Sequence, residues 1–111
     1  MNNRDRNIII KILEEIEYLE LHSVDVSFED FISNETLKRA FSMTLINIGE
    51  KARLLSEEFR ESVPDIPYNE IIATRNIAAH GYEALNFNYI WDTIKADIPV
   101  LKEKISVLIK D

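Results

Sequence analysis

The sequence predicts an all-α protein, an up-and-down bundle of four to five helices. Apolar residues recur at steps of three and four over long stretches, the spacing that keeps one helix face on a core. Only two glycines and three prolines interrupt 111 residues, too little punctuation for a turn-rich β fold. Hydrophobic residues make up 46% of the chain and charged residues 30%, the balance of a globular domain with wet outer faces. The length fits one domain spanning 1–111.

The first helix is expected from about residue 3 to 21, with Ile9, Leu13, Ile16 and Leu19 as its inner stripe. Lys11, Glu14, Glu15 and Glu17 supply its wet face. A loop follows, and Ser27 is placed to cap a short turn over Phe28–Ile32, with Asp30 three residues on. A second long helix should begin after Ser33 or Asn34, with a seam of Phe41, Leu45, Ile48, Ala52 and Leu55. Gly49 interrupts that helix at a cost of about 1 kcal/mol relative to alanine, which predicts close approach of another helix from this chain or from a second copy. Ser56 to Pro64 suggests a further short helical stretch. Pro67 suits the first turn of a third helix that turns Tyr68, Ile71, Ile72 and Ala79 inward and ends at Gly81. A last seam of Phe87, Trp91, Ile94, Ile98, Leu101, Ile105 and Leu108 runs through Pro99. Proline lacks the N–H that the helix ladder requires, so a kink or break is expected near Asp97.

Composition excludes several classes of chemistry. The chain has no cysteine, which removes disulfides, thiolate metal sites and a thiol nucleophile. The start, Met-Asn-Asn-Arg-Asp-Arg, lacks the apolar segment of a signal peptide. No apolar run approaches the ~20 residues that span a bilayer. The expectation is a cytoplasmic protein without membrane contact. Net charge is −7, with 8 basic and 12 acidic side chains in residues 1–60 and 5 and 8 in residues 61–111. Acidity spread this evenly argues against a non-specific nucleic-acid coat and leaves room for a small local basic site.

Motifs with chemical content are few. There are two histidines, no Glu-x-x-His pair for a di-iron bundle, no His-x-x-x-His spacing for zinc and no glycine-rich phosphate loop. No metal or cofactor is expected. What remains is Arg75-Asn76-Ile77-Ala78-Ala79-His80-Gly81-Tyr82. Arg75 and His80 point about 140° apart on one helix, whereas Asn76 and His80, four apart, share a face. At a helix C-terminus the dipole favours the imidazolium form of His80. Each residue also has a plain structural account: His80 as a cap, Arg75 as half of an ion pair, Tyr82 as a half-buried ring. His22, beside Glu20 near the end of the first helix, has the same account and nothing to lift it.

The string Arg-x-x-x-x-His-x-Tyr at 75–82, with Asn76 directly after the arginine, resembles the signature of the HepT-like branch of the HEPN superfamily. Ile48-Gly49-Glu50-Lys51-Ala52 is similar to the Ile-Gly-Glu-x-Ala segment of that branch. Ile66-Pro67-Tyr68 is similar to its Ile-Pro-Trp, with tyrosine for tryptophan, and Ile90-Trp91 and Asp97-Ile98-Pro99 match the blocks that follow. In order and spacing the resemblance covers nearly the whole chain.

The resemblance implies an all-α homodimer acting as a metal-independent ribonuclease toxin, with Arg75 and His80 catalytic and Asn76 supporting. It implies a partner antitoxin, a minimal nucleotidyltransferase, that transfers a nucleotidyl group to Tyr82. The chemistry fits these residue types. RNA is cleaved without metal when its own 2′-hydroxyl attacks the adjacent phosphate, which needs a base, an acid and a cation. Histidine suits either proton role, and arginine binds phosphate oxygens as a fork. One chain supplies one motif histidine, so a symmetric dimer would complete a composite site. The rival reading is a non-catalytic dimer that binds a nucleotidyltransferase, which the acidic charge favours. A helix-turn-helix DNA binder would need a basic recognition helix, which the chain lacks.

Overall fold

Asn2 opens the chain's first helix by accepting a hydrogen bond from the Asp5 N–H at 2.7 Å. Helix α1 then spans Asn3–Ser23. The computed structural model describes residues 1–80 and 86–109, and for residues 76–80 the backbone alone. Ile9, Ile12, Ile16 and Leu19 form the buried stripe of α1. Ile12 therefore takes the inner position expected of Leu13, which lies at the core's edge. The helix also runs two residues past the expected end.

Helix α2, Phe28–Ser33, begins with the reciprocal pair that its sequence announces. The Asp30 N–H donates to Ser27 Oγ at 3.0 Å, and the Ser27 N–H donates to Asp30 Oδ2 at 3.2 Å. Its one buried residue, Phe31, stacks on Phe41 with ring centres 5.8 Å apart and on Trp91 at 5.1 Å. A six-residue helix has little stability of its own, so this aromatic cluster is what seats it. Helix α3, Glu35–Arg53, is capped by Asn34 and buries Phe41, Leu45, Ile48 and Ala52. At its far end Arg60 donates to the Ala52 and Arg53 carbonyls at 3.2 and 3.0 Å, filling acceptors that a helix end leaves open.

Helix α4, Glu57–Ser62, is capped by Ser56. Ser56 also donates through its hydroxyl to Asp5 Oδ2 at 2.6 Å and through its N–H to Asp5 Oδ1 at 3.0 Å. Asp5 is 2% exposed. A buried carboxylate is tolerated only when hydrogen-bonded, and this one ties the start of α1 to the start of α4. The Tyr68 hydroxyl donates to the Val63 carbonyl at 2.8 Å and fixes the entry to the next helix. Burial pushes that phenol up to about 12, against the opposing pull of Arg60.

Helix α5 spans Tyr68–His80 and directly follows Pro67. Ile71 is buried on it, with Tyr68 and Ile72 at the core's edge, as expected. The inward position expected of Ala79, and Gly81 as the helix end, fall outside the described side chains and residues. The final rod comprises α6, Phe87–Asp92, a π-helical turn, Thr93–Asp97, and α7, Ile98–Ile109. The Ile98 N–H reaches back five residues to the Thr93 carbonyl. Pro99 cannot donate to the carbonyl four residues earlier, and the widened turn absorbs that missing bond just before it. The irregularity expected near Asp97 is thus a π turn within a continuing rod.

Helix α3 packs most extensively on α5 and next on α1. The last rod touches α1 through α7, α3 through α6 and α5 through the π turn. Four long helical segments therefore close a ring around the core, with α2 and α4 as short accessories. Among the described residues there is no strand, and no helix is long and apolar enough to cross a membrane.

Candidate active site

The site is built where α3 and α5 meet. Gly49 on α3 allows that approach, as its mid-helix position predicts, and the neighbour comes from the same chain. A Cβ at residue 49 would stand 2.8 Å from the Ile71 carbonyl oxygen, 2.8 Å from Thr74 Oγ1 and 3.3 Å from the Arg75 nitrogen. Two of those three atoms are backbone, so only glycine fits without moving α5. Thr74 is buried beside it, its hydroxyl 2.6 Å from the Ile71 carbonyl and 3.0 Å from the Leu45 carbonyl. The second contact crosses to α3 and pins the two helices one residue before Arg75.

Arg75 thus leaves α5 from a rigid crossing. Its Nε lies 2.5 Å from Glu50 Oε1, the residue after Gly49. The contact is a charge pairing rather than an aligned hydrogen bond, and the Nε atom is shielded from solvent. Glu50 Oε2 lies 3.5 Å from Arg53 Nη2, one turn further along α3. One carboxylate therefore stands between two guanidinium groups, on a chain whose net charge is −7.

Asn76 and His80 continue α5 beyond Arg75. Their backbone is helical, so the rotational offsets inferred from spacing apply to it. Their side chains, and Tyr82 entirely, lie outside the described part of the structure. His22 stands exposed on α1 with its ring 4.4 Å from that of Tyr18. Among the described residues no three His, Asp, Glu or Cys side chains are grouped so as to hold a metal ion.

Spacing alone did not give Glu50 a role. Its signal was the block Ile48-Gly49-Glu50, in which a carboxylate follows a glycine that has no local reason to interrupt a helix. At the start of α5, the Tyr89 hydroxyl donates to the Glu70 carbonyl at 3.0 Å. Asp97 on the π turn is raised above its usual range by burial and by the nearby charge of Glu70. That cluster braces the first turn of α5 against the last rod.

The family model described as ribonuclease HepT-like matches residues 12–108. A protein of Caldanaerobacter subterraneus subsp. tengcongensis, named as a candidate RNase, is 37% identical over 99 residues, covering 89% of this chain and 88% of the relative. One of Methanocaldococcus jannaschii, also named as a candidate RNase, is 29% identical over 109 residues, covering 97% of this chain and 100% of the relative. One of Thermococcus cleftensis, named "Probable ribonuclease HepT", is 31% identical over 110 residues, covering 99% and 100%. No solved structure matches the chain. The family match takes in α3, α5 and the whole Arg75–Tyr82 segment of the sequence, and the described residues are all-α as that family requires: this chain belongs to the HepT-like ribonuclease family of the HEPN superfamily.

Proposed function

We propose that the protein is a metal-independent endoribonuclease that works as a homodimer and serves as the toxin of a toxin–antitoxin pair. The family match across the Arg75–Tyr82 segment carries this reading. The placement of Arg75 on a rigid crossing, with a carboxylate at its Nε, supports it. Arg75 binds the scissile phosphate and stabilises the charge that builds on it. His80 moves a proton, taking it from the attacking 2′-hydroxyl or giving it to the leaving 5′-oxygen. A second chain brings a second His80, so that one imidazole acts as base and the other as acid. Asn76, one turn before His80 on the same helix face, supports the imidazole.

Silencing follows from Tyr82. A minimal nucleotidyltransferase antitoxin transfers AMP to its hydroxyl, forming a phosphodiester to the phenol oxygen and releasing pyrophosphate from ATP. The new group adds about one negative charge seven residues from Arg75 in sequence, and in this reading it competes with an RNA phosphate for the guanidinium. Co-expression with the antitoxin should add mass in multiples of one AMP, and the addition should vanish in Tyr82→Phe. Undiminished modification of Tyr82→Phe would show that the acceptor lies elsewhere.

The second reading, a non-catalytic dimer that binds a nucleotidyltransferase, draws on the net charge of −7. Incubation of the purified protein with total RNA in EDTA separates the two. The first reading expects cleavage products, whereas the second expects intact RNA and antitoxin binding alone. A substrate with a single 2′-deoxy sugar at the cut site should resist cleavage there, because the attacking hydroxyl is gone.

A further inference from the structure

The block Ile48-Gly49-Glu50-Lys51-Ala52 is only partly explained by packing. Ile48 and Ala52 are buried and Gly49 admits α5, but Glu50 adds nothing to the core, with its side chain 44% exposed. An exposed helical glutamate can satisfy itself with a neighbour one turn along, and Arg53 is available for that at 3.5 Å. Glu50 instead lies closer to Arg75 on the other helix, at 2.5 Å from Nε. That nitrogen is shielded from water, so its share of the guanidinium charge needs a fixed counter-charge. The backbone on both sides of the contact is held: Gly49 abuts the Arg75 nitrogen, and the Thr74 hydroxyl bridges to the Leu45 carbonyl.

We infer that Glu50 is a positioning residue for Arg75. A free arginine side chain samples many rotamers, and each must be frozen out before a phosphate can be bound in one geometry. A carboxylate at the Nε edge sets the plane of the guanidinium before substrate arrives, which is the preorganisation that electrostatic stabilisation of a transition state requires. The inference rests on the proposed role of Arg75 in RNA cleavage.

The test compares wild type, Glu50→Gln, Arg75→Lys and the Glu50→Gln/Arg75→Lys double variant. Glutamine keeps the shape of Glu50 and removes its charge. Two readouts are needed: hydrogen exchange of the Arg75 Nε–H by NMR, and RNA cleavage kinetics in EDTA. The Nε–H should exchange slowly in wild type and faster in Glu50→Gln. The kcat of Glu50→Gln should fall about 10- to 100-fold, the scale expected when a reacting group is misplaced by about 1 Å. KM and melting temperature should barely change. In the Arg75→Lys background, where no Nε exists to be held, adding Glu50→Gln should cost little more. Unchanged Nε–H exchange, an unchanged or raised kcat in Glu50→Gln, or a full multiplicative loss in the double variant would overturn the inference. A raised kcat would mean that the carboxylate merely competes with RNA for Arg75. If wild type cuts no RNA, the catalytic reading of Arg75 fails, while the Nε–H comparison still decides whether Glu50 holds it.

Discussion

Gly49 sets two opposing free energies against each other. Alanine is preferred over glycine inside a helix by about 1 kcal/mol. Against that gain, the added Cβ would sit 2.8 Å from the Ile71 carbonyl oxygen, an atom that moves only if α5 moves. Overpacking of this kind costs about 1–3 kcal/mol, so sterics should win. Gly49→Ala is therefore expected to lower the melting temperature and to weaken RNA cleavage, since the displaced backbone is that of Arg75. A stabilised Gly49→Ala with full activity would show that α5 yields freely. Asp5 allows a second test at this scale. Burial alone would raise its carboxyl, but the two Ser56 hydrogen bonds outweigh that and hold it below the ordinary value of 3.8, helped by Arg4. A group lowered on folding stabilises the protein above its unfolded pKa and loses that contribution as pH falls through the folded value. Asp5→Asn should thus melt below wild type at pH 7, and the gap should narrow at pH 3. A gap that stays constant with pH would contradict the ionised Asp5–Ser56 lock.

At the scale of elements, period and caps were legible in the sequence wherever the cause is local. Ser27 with Asp30, Asn34 before α3 and Pro67 before α5 act through neighbours within four residues, and the structure bears each out. Gly49 was legible as an anomaly requiring a close partner. The Glu50–Arg75 contact was not, because it depends on how α3 crosses α5, and no periodicity encodes a crossing. The widened π turn was legible only as a disturbance near Pro99, since proline dictates a missing bond and the tertiary context decides how the helix absorbs it. The elements also differ in what they contribute. Phe31 joins α2 to α3 and to Trp91, so Phe31→Ala should cost about 3–5 kcal/mol and shift emission of the single tryptophan to the red. Ser27→Ala removes only a cap of the same helix and should cost about 1 kcal/mol. Equal losses from the two changes in thermal melts would mean that α2 is held by its cap and not by its aromatic contact.

For the molecule as a whole, an evenly spread negative charge has to be reconciled with binding a polyanion. A chain of net charge −7 repels RNA at long range, and cations described at the α3–α5 crossing include Arg53 and Arg75 around Glu50. Affinity for RNA should therefore depend only weakly on salt. Contact with about two to four phosphates gives a slope of about −1.4 to −2.8 in log K against log salt, from about −0.7 per phosphate on a single strand. A slope much steeper than that would reveal a broad basic surface and contradict a local site. The proposed dimer would double the motif histidines without changing this balance of sign. If His80 transfers a proton while Arg75 holds the phosphate, the rates at which wild type and His80→Ala cut one defined RNA in EDTA must differ. His80→Ala should melt like wild type and lose roughly 10²–10⁴ in rate, and the wild-type product should end in a 2′,3′-cyclic phosphate. A His80→Ala variant that folds normally and cuts at the wild-type rate would contradict that role for His80.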